Sequence, residues 1–116
     1  MAKYECRLKG SFTHFLQYLD QAILQSSISA SYEEGSDYCL GETRCAVRVY
    51  ERYSVTGSNR VSLSVTLLGK GEELMLCAIT SGGSQAAFFK INTWGEEAFL
   101  EQVERAVHNY ERRDIR

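Results

Sequence analysis

The groups in this chain that could do chemistry are four cysteines, two histidines, a run of arginines and a few isolated acids. Cys6, Cys39, Cys45 and Cys77 include no C-x-x-C pair, and their spacing fits no common zinc pattern. They are expected to be reduced, inert thiols that fill space. Cys39 and Cys45 are the nearest pair along the chain. A nucleophilic thiol needs a base or a cationic neighbour, and neither histidine stands at a telling spacing from either. His14 and His108 fall off the apolar stripes of their segments and read as surface groups. Glu51 interrupts an apolar parity between Val49 and Tyr53. A carboxylate there is either a perturbed acid or base lining a cavity, or a group at the rim of a sheet or beside a bulge.

Arg44, Arg48 and Arg52 project from one side of one extended segment, with Tyr50 between them. Such a row could hold a carboxylate, a phosphate or an acidic partner. Arginine and aromatic side chains on a sheet are also used to stack RNA bases. Here there is no RNP signature, and a net charge of -2 gives no bulk attraction to nucleic acid. A solvated or subunit-contacting sheet face is the plainer reading. Ser81-Gly82-Gly83-Ser84 is a tight turn whose N–H groups could form an anion nest. It is not a P-loop, because no Gly-Lys-Ser/Thr follows. Glu33, Glu34, Asp37 and Glu42 form an acidic cluster without the alternating ligand spacing of a calcium loop. The chain is therefore expected not to be an enzyme and to carry no metal or cofactor.

The elements that position these groups follow from periodicity. Tyr4, Cys6 and Leu8 alternate with Lys3, Glu5, Arg7 and Lys9, the pattern of a half-buried edge strand. Ser11 is placed to cap a helix over 12–27, with Phe12, Phe15, Leu16, Leu19, Ile23 and Leu24 on one stripe. Residues 28–42 divide into a strand around Ile28, Ala30 and Tyr32, a turn at 33–37, and a short return strand at Tyr38-Cys39-Leu40. A meander follows. Its first strand, 43–55, is expected to turn Cys45, Val47, Val49, Tyr53 and Val55 to the core and its arginines and Tyr50 outward. Its second, 60–68, turns Val61, Leu63, Val65 and Leu67 inward. Matching these faces requires Val55 opposite Val61 and Val49 opposite Leu67. Residues 86–91 read as a last strand, with Phe88 and Phe89 on opposite faces. Thr93 and Glu96 then fit a capping box for a closing helix striped by Phe99, Leu100, Val103, Ala106, Val107 and Tyr110.

One segment breaks the half-buried pattern. Leu74-Met75-Leu76-Cys77-Ala78-Ile79 is apolar at both parities, so both of its faces need cover. If Leu67 faces Met75, then Leu68, Leu74, Leu76 and Ala78 cluster on the outer face. The opposite register exchanges the two sets and still leaves an apolar outer set. A second copy of the chain is the simplest cover, which predicts a homodimer.

The order β-α-β-meander-α loosely resembles a helix-grip architecture. Gly82-Gly83-Ser84, followed by a strand with Phe88-Phe89-Lys90 and then a helix, is similar to the end of that fold. A closer resemblance is to small bacterial proteins of an uncharacterised family. It rests on Arg44-Cys45-Ala46-Val47-Arg48-Val49-Tyr50-Glu51-Arg52-Tyr53, on Ile79-Thr80-Ser81-Gly82-Gly83-Ser84, and on the stretch from Phe89 to Glu97. That resemblance covers most of the chain and implies a bacterial cytoplasmic setting. It brings no activity, cofactor or site residues.

The expected fold is α+β and two-layered, one domain over residues 1–116. It has a twisted antiparallel sheet of about five to seven strands and both helices on one face. No segment reaches the ~20 apolar residues of a membrane span, and the first residues lack the apolar run of a signal peptide. A cytoplasmic location and no membrane or nucleic-acid partner follow as expectations. The expected function is non-catalytic interaction and oligomerisation. The alternative is a binder of a small apolar ligand, in a pocket between sheet and closing helix lined by Glu51, Tyr53, Phe88, Phe89 and Trp94.

Overall fold

The structure, a computed structural model, describes residues 1–53, 60–82 and 89–114. The chain runs β1 (Ala2–Lys9), α1 (Phe12–Gln25), β2 (Ser31–Leu40), β3 (Thr43–Tyr53), β4 (Arg60–Lys70), β5 (Glu73–Gly82) and α2 (Phe89–Asp114). The strands form one antiparallel sheet in the order β1-β5-β4-β3-β2, with both helices on the same face. This is the α+β architecture expected from the sequence.

Helix α1 begins where the sequence signals it. The Ser11 side chain accepts the His14 N–H at 3.3 Å, and the helix stops at Ser26, whose N–H and hydroxyl both turn back to the Ile23 carbonyl. Its stripe of Phe12, Phe15, Leu19 and Ile23 is buried. Against it, α2 presents Phe99, Val103 and Val107. The helices are tied by the Tyr18 hydroxyl donating to the Ala106 carbonyl at 2.9 Å and by an edge-on Phe15–Tyr110 contact. Beneath them lie Val61, Leu63, Val65 and Leu67 of β4 and Leu74, Leu76 and Ala78 of β5. Each such valine or leucine contributes about 1.5–3 kcal/mol as an upper bound.

Two tight hairpins set the register. Leu40 pairs with Thr43 and Lys70 with Glu73, and the first turn residues, Gly41 and Gly71, both have φ of 61°. Only glycine takes that conformation without strain. Gly69 serves packing. A methyl group there would stand 2.6 Å from the Phe12 ring, so its bare backbone lets α1 settle on the sheet.

Four local expectations are corrected. Residues 31–40 form one strand with a bulge between Tyr32 and Glu34, not two short strands about a turn. The β3–β4 register places Val49 opposite Ser64 and Arg52 opposite Val61, so the core row of β3 is Ala46 and Tyr50, not Cys45, Val47 and Val49. Leu67 pairs with Leu76, which puts Leu74, Leu76 and Ala78 in the core rather than on an interface. Phe89 and Lys90 are helical, and Thr93 lies inside α2 rather than capping it. The rest of the proposed last strand, with Phe88, falls outside the described residues, as do Val55 and half of the Ser81–Ser84 turn.

The glutamate of the supposed capping box has other work. Glu96 is buried, and its carboxylate accepts the Gly82 N–H at 2.6 Å while its carbonyl accepts the Thr80 hydroxyl at 3.1 Å. It fastens the end of β5 to α2 by a charge-assisted hydrogen bond.

Candidate functional site

The face of the sheet turned away from the helices is built from the odd residues of β1, β3 and β5 and the even residues of β4. Pairing lines them up in cross-strand rows. One row runs Lys3, Ile79, Ser64, Val49, Glu34. The next runs Glu5, Cys77, Thr66, Val47, Ser36, and the third Arg7, Met75, Leu68, Cys45, Tyr38. The middle of each row is mostly apolar and the ends are polar or aromatic. Among the described residues no element covers this face. Met75 is 44% exposed, Leu68 38% and Ile79 36%, while Tyr38 and Leu40 extend the patch to the β2 edge at 62% and 84%. Scattered apolar residues are ordinary on a protein surface, whereas a contiguous patch across several strands marks a contact surface.

The edges of the sheet are guarded differently. β1 carries Lys3, Glu5 and Arg7 outward, with Lys3 and Glu5 paired at 3.4 Å. β2 carries Glu33, Glu34 and Asp37, has a bulge, and folds closely over Gly35, where an added methyl group would meet the Tyr32 hydroxyl at 2.6 Å. Charges and bulges of this kind disfavour edge-to-edge pairing. The open face carries no such guard at its centre.

Two shallow depressions lie on and beside this face. One, of about 430 Å3, sits over Glu5, Arg7, Thr66, Leu68, Met75 and Cys77. The other, about 420 Å3, continues it toward the Gly69 and Lys70 end and shares Arg7, Leu68 and Met75. The Cys77 thiol is pushed up from its ordinary pKa by burial, with Glu5 adding to the shift. Cys6 on the helix side is likewise raised by burial, partly offset by its hydrogen bond with Tyr4. Both shifts favour the protonated, unreactive thiol. All four cysteines are free, and the described residues bring no group of acids, histidines and cysteines together around a metal-sized site.

The arginine row lies on the opposite side from its expected place. Arg44 stacks over the Phe12 ring at 4.3 Å and donates to the Thr13 hydroxyl at 3.0 Å. Arg52 lies over Phe99 at 4.5 Å, where burial lowers its pKa from the ordinary arginine value. Arg48 pairs with Asp37 at 2.9 Å and caps the Ser36 and Val47 carbonyls. Long cationic side chains over aromatic rings bury their stems and gain cation–π attraction. Their partners are internal to the chain, and none of the three stands on the open face where the row was expected.

Glu51 stands on the open face, paired with Arg60 and accepting the Ser62 hydroxyl at 3.2 Å. Tyr53 is exposed beside it. Both stand on the face turned away from the helices, whereas Phe89 and Trp94 fall within α2. Leu68 is the one expected interface residue that the open face retains. The residues sequence reasoning placed inside, Cys45, Val47, Val49, Met75, Cys77 and Ile79, supply most of the rest of the patch, with Tyr38 and Leu40 at the β2 edge. Their signal was present in the two-sided apolar run 74–79, whose unlabelled half proved to be the outer one.

The family model of a family of unknown function, DUF6054, matches residues 1–111, and the chain belongs to that family. No curated protein matches it.

Proposed function

We propose that this chain is a non-catalytic interaction protein of the bacterial cytoplasm that works as a homodimer through the open face of its sheet. The observation that carries this reading is the contiguous exposure of Leu68, Met75 and Ile79 beside half-buried Val47 and Val49. Burying such a face against a second copy removes apolar area from water at about 25 cal/mol per Å2, less the cost of association. No described helix is long and apolar enough to cross a membrane, in keeping with a water-facing setting for the rest of the surface.

Native mass spectrometry of the protein purified from its own cytoplasm tests the reading. A dimer without adduct is the expected result, and a monomer across micromolar concentrations would contradict it. A second reading, a small apolar ligand, is favoured by the 430 Å3 depression over Met75 and Cys77. A reproducible adduct on the monomer would select that reading instead.

A further inference from the structure

We propose that the partner on the open face is a second copy related by a two-fold axis running along β4, so that β1 of each copy lies over β2 of the other. The proposal rests on the homodimer reading and fixes its geometry.

Sheets that pack face to face lie about 10 Å apart with strand directions within about 30° of each other. A two-fold axis in the interface then has two simple orientations, along the strands or across them. Along the strands, centred on β4, each cross-strand row meets itself reversed. In the first row Lys3 meets Glu34 of the other copy, Ile79 meets Val49, and Ser64 meets Ser64 on the axis. In the second, Cys77 meets Val47 about a central Thr66. In the third, Arg7 meets the Tyr38 ring, Met75 meets Cys45, and Leu68 meets Leu68. Apolar side chains meet apolar ones, small hydroxyl residues lie at the centre of the first two rows, and opposite charges close both ends of the first.

Across the strands, centred on the second row, β1 lies over β1. Lys3 then meets Arg7 and Glu5 meets Glu5, all like-charge encounters. Juxtaposed like charges at an interface disfavour that centred arrangement, and over these three rows the axis along β4 has none. A rotation of about 30° moves the edge residues by less than one row, within reach of lysine and glutamate side chains. The area is sufficient as well. Five strands about 4.8 Å apart, over rows about 6.8 Å apart, give a footprint of roughly 500 Å2 on each copy. The two copies together therefore bury on the order of 1,000 Å2, where specific interfaces begin.

Charge reversal tests the axis. Lys3 and Glu34 are both exposed in the single chain, so reversing either leaves the core untouched. Sedimentation at low salt is the readout, with circular dichroism as the check on folding. Lys3→Glu and Glu34→Lys are each expected to weaken the dimer by about tenfold, since each substitution alters two symmetric contacts. The double variant Lys3→Glu/Glu34→Lys is expected to return to within about threefold of the unmodified protein. Thr66→Arg, which brings two guanidinium groups together at the axis, is expected to give monomer. A dimer that ignores both single reversals would overturn the axis and leave the homodimer reading standing. An unmodified protein that stays monomeric would overturn both.

Discussion

The two faces of β3 invert the usual assignment of polarity. Its helix-side row carries Arg44, Arg48 and Arg52, and its open row carries Cys45, Val47 and Val49. A hydropathy count on β3 alone turns the valines inward. What decides the matter is the cover available to each face. Phe12 and Phe99 come down from the helices as ring surfaces on which guanidinium groups lie, and Tyr50 and Ala46 fill the space between. The valines are left facing outward, where among the described residues they meet only neighbouring strands. The helix side is a completed core. The open side is an apolar surface that no described element covers.

This contrast is broken most severely from the helix side. Phe15 is fully buried and packs edge-on against Tyr110. Phe15→Ala is expected to cost about 3–5 kcal/mol, read as the loss in unfolding free energy by urea titration. A cost below 1 kcal/mol would mean that the α1–sheet core is not as tightly filled as described. Gly69→Ala, which sets a methyl group against Phe12, is expected to cost about 1–3 kcal/mol by overpacking. Pairing it with Phe12→Leu, which shortens the opposing group, should recover part of that loss.

Tyr50 gives a smaller and pH-dependent effect. Its buried hydroxyl donates to Asp20 at 2.6 Å, and its phenol pKa is raised, first by burial and then by that hydrogen bond and the Asp20 charge. The folded protein therefore holds this proton to higher pH than the unfolded chain, where tyrosine ionises near about 10. The resulting stability is fully present below about pH 10 and declines as the pH rises beyond it. Tyr50→Phe is expected to cost about 0.5–1.5 kcal/mol at neutral pH and to flatten the alkaline decline in melting temperature. Tyr4, whose phenol is also raised by burial, retains a share of that decline. An unchanged alkaline slope in Tyr50→Phe would remove Tyr50 from this role. On the open face, Ile79→Ser should change the stability of the dilute monomer by no more than about 0.5 kcal/mol.

How far the sequence reaches depends on where the deciding information lies. β1, α1 and the stripe of α2 were legible because each buries one regular face and the period is local. The Ser11 cap and the Phe99–Val107 stripe fall where the spacing puts them. β2 was not legible as one strand. Its residues are mostly exposed on both faces, so no alternation survives, and its ladder is supplied by β3. The inner and outer rows of β3 depend on aromatic rings more than thirty residues away in sequence, beyond the reach of any local period. The uncovered apolar face was legible as a property of residues 74–79, because apolar residues at both parities demand two covers. Which half faced outward depended on the Leu67–Leu76 pairing, set by the two-residue turn at Gly71.

The central claim is that the open face is covered by association while the helix side is already closed. Methyl-resolved NMR followed from micromolar to millimolar concentration tests it directly. The methyl signals of Leu68, Met75 and Ile79 should move with concentration toward a common saturation. Those of Leu19, Ile23 and Leu63, buried within the single chain, should stay in place. Signals from both sets unmoved over that range would contradict the account.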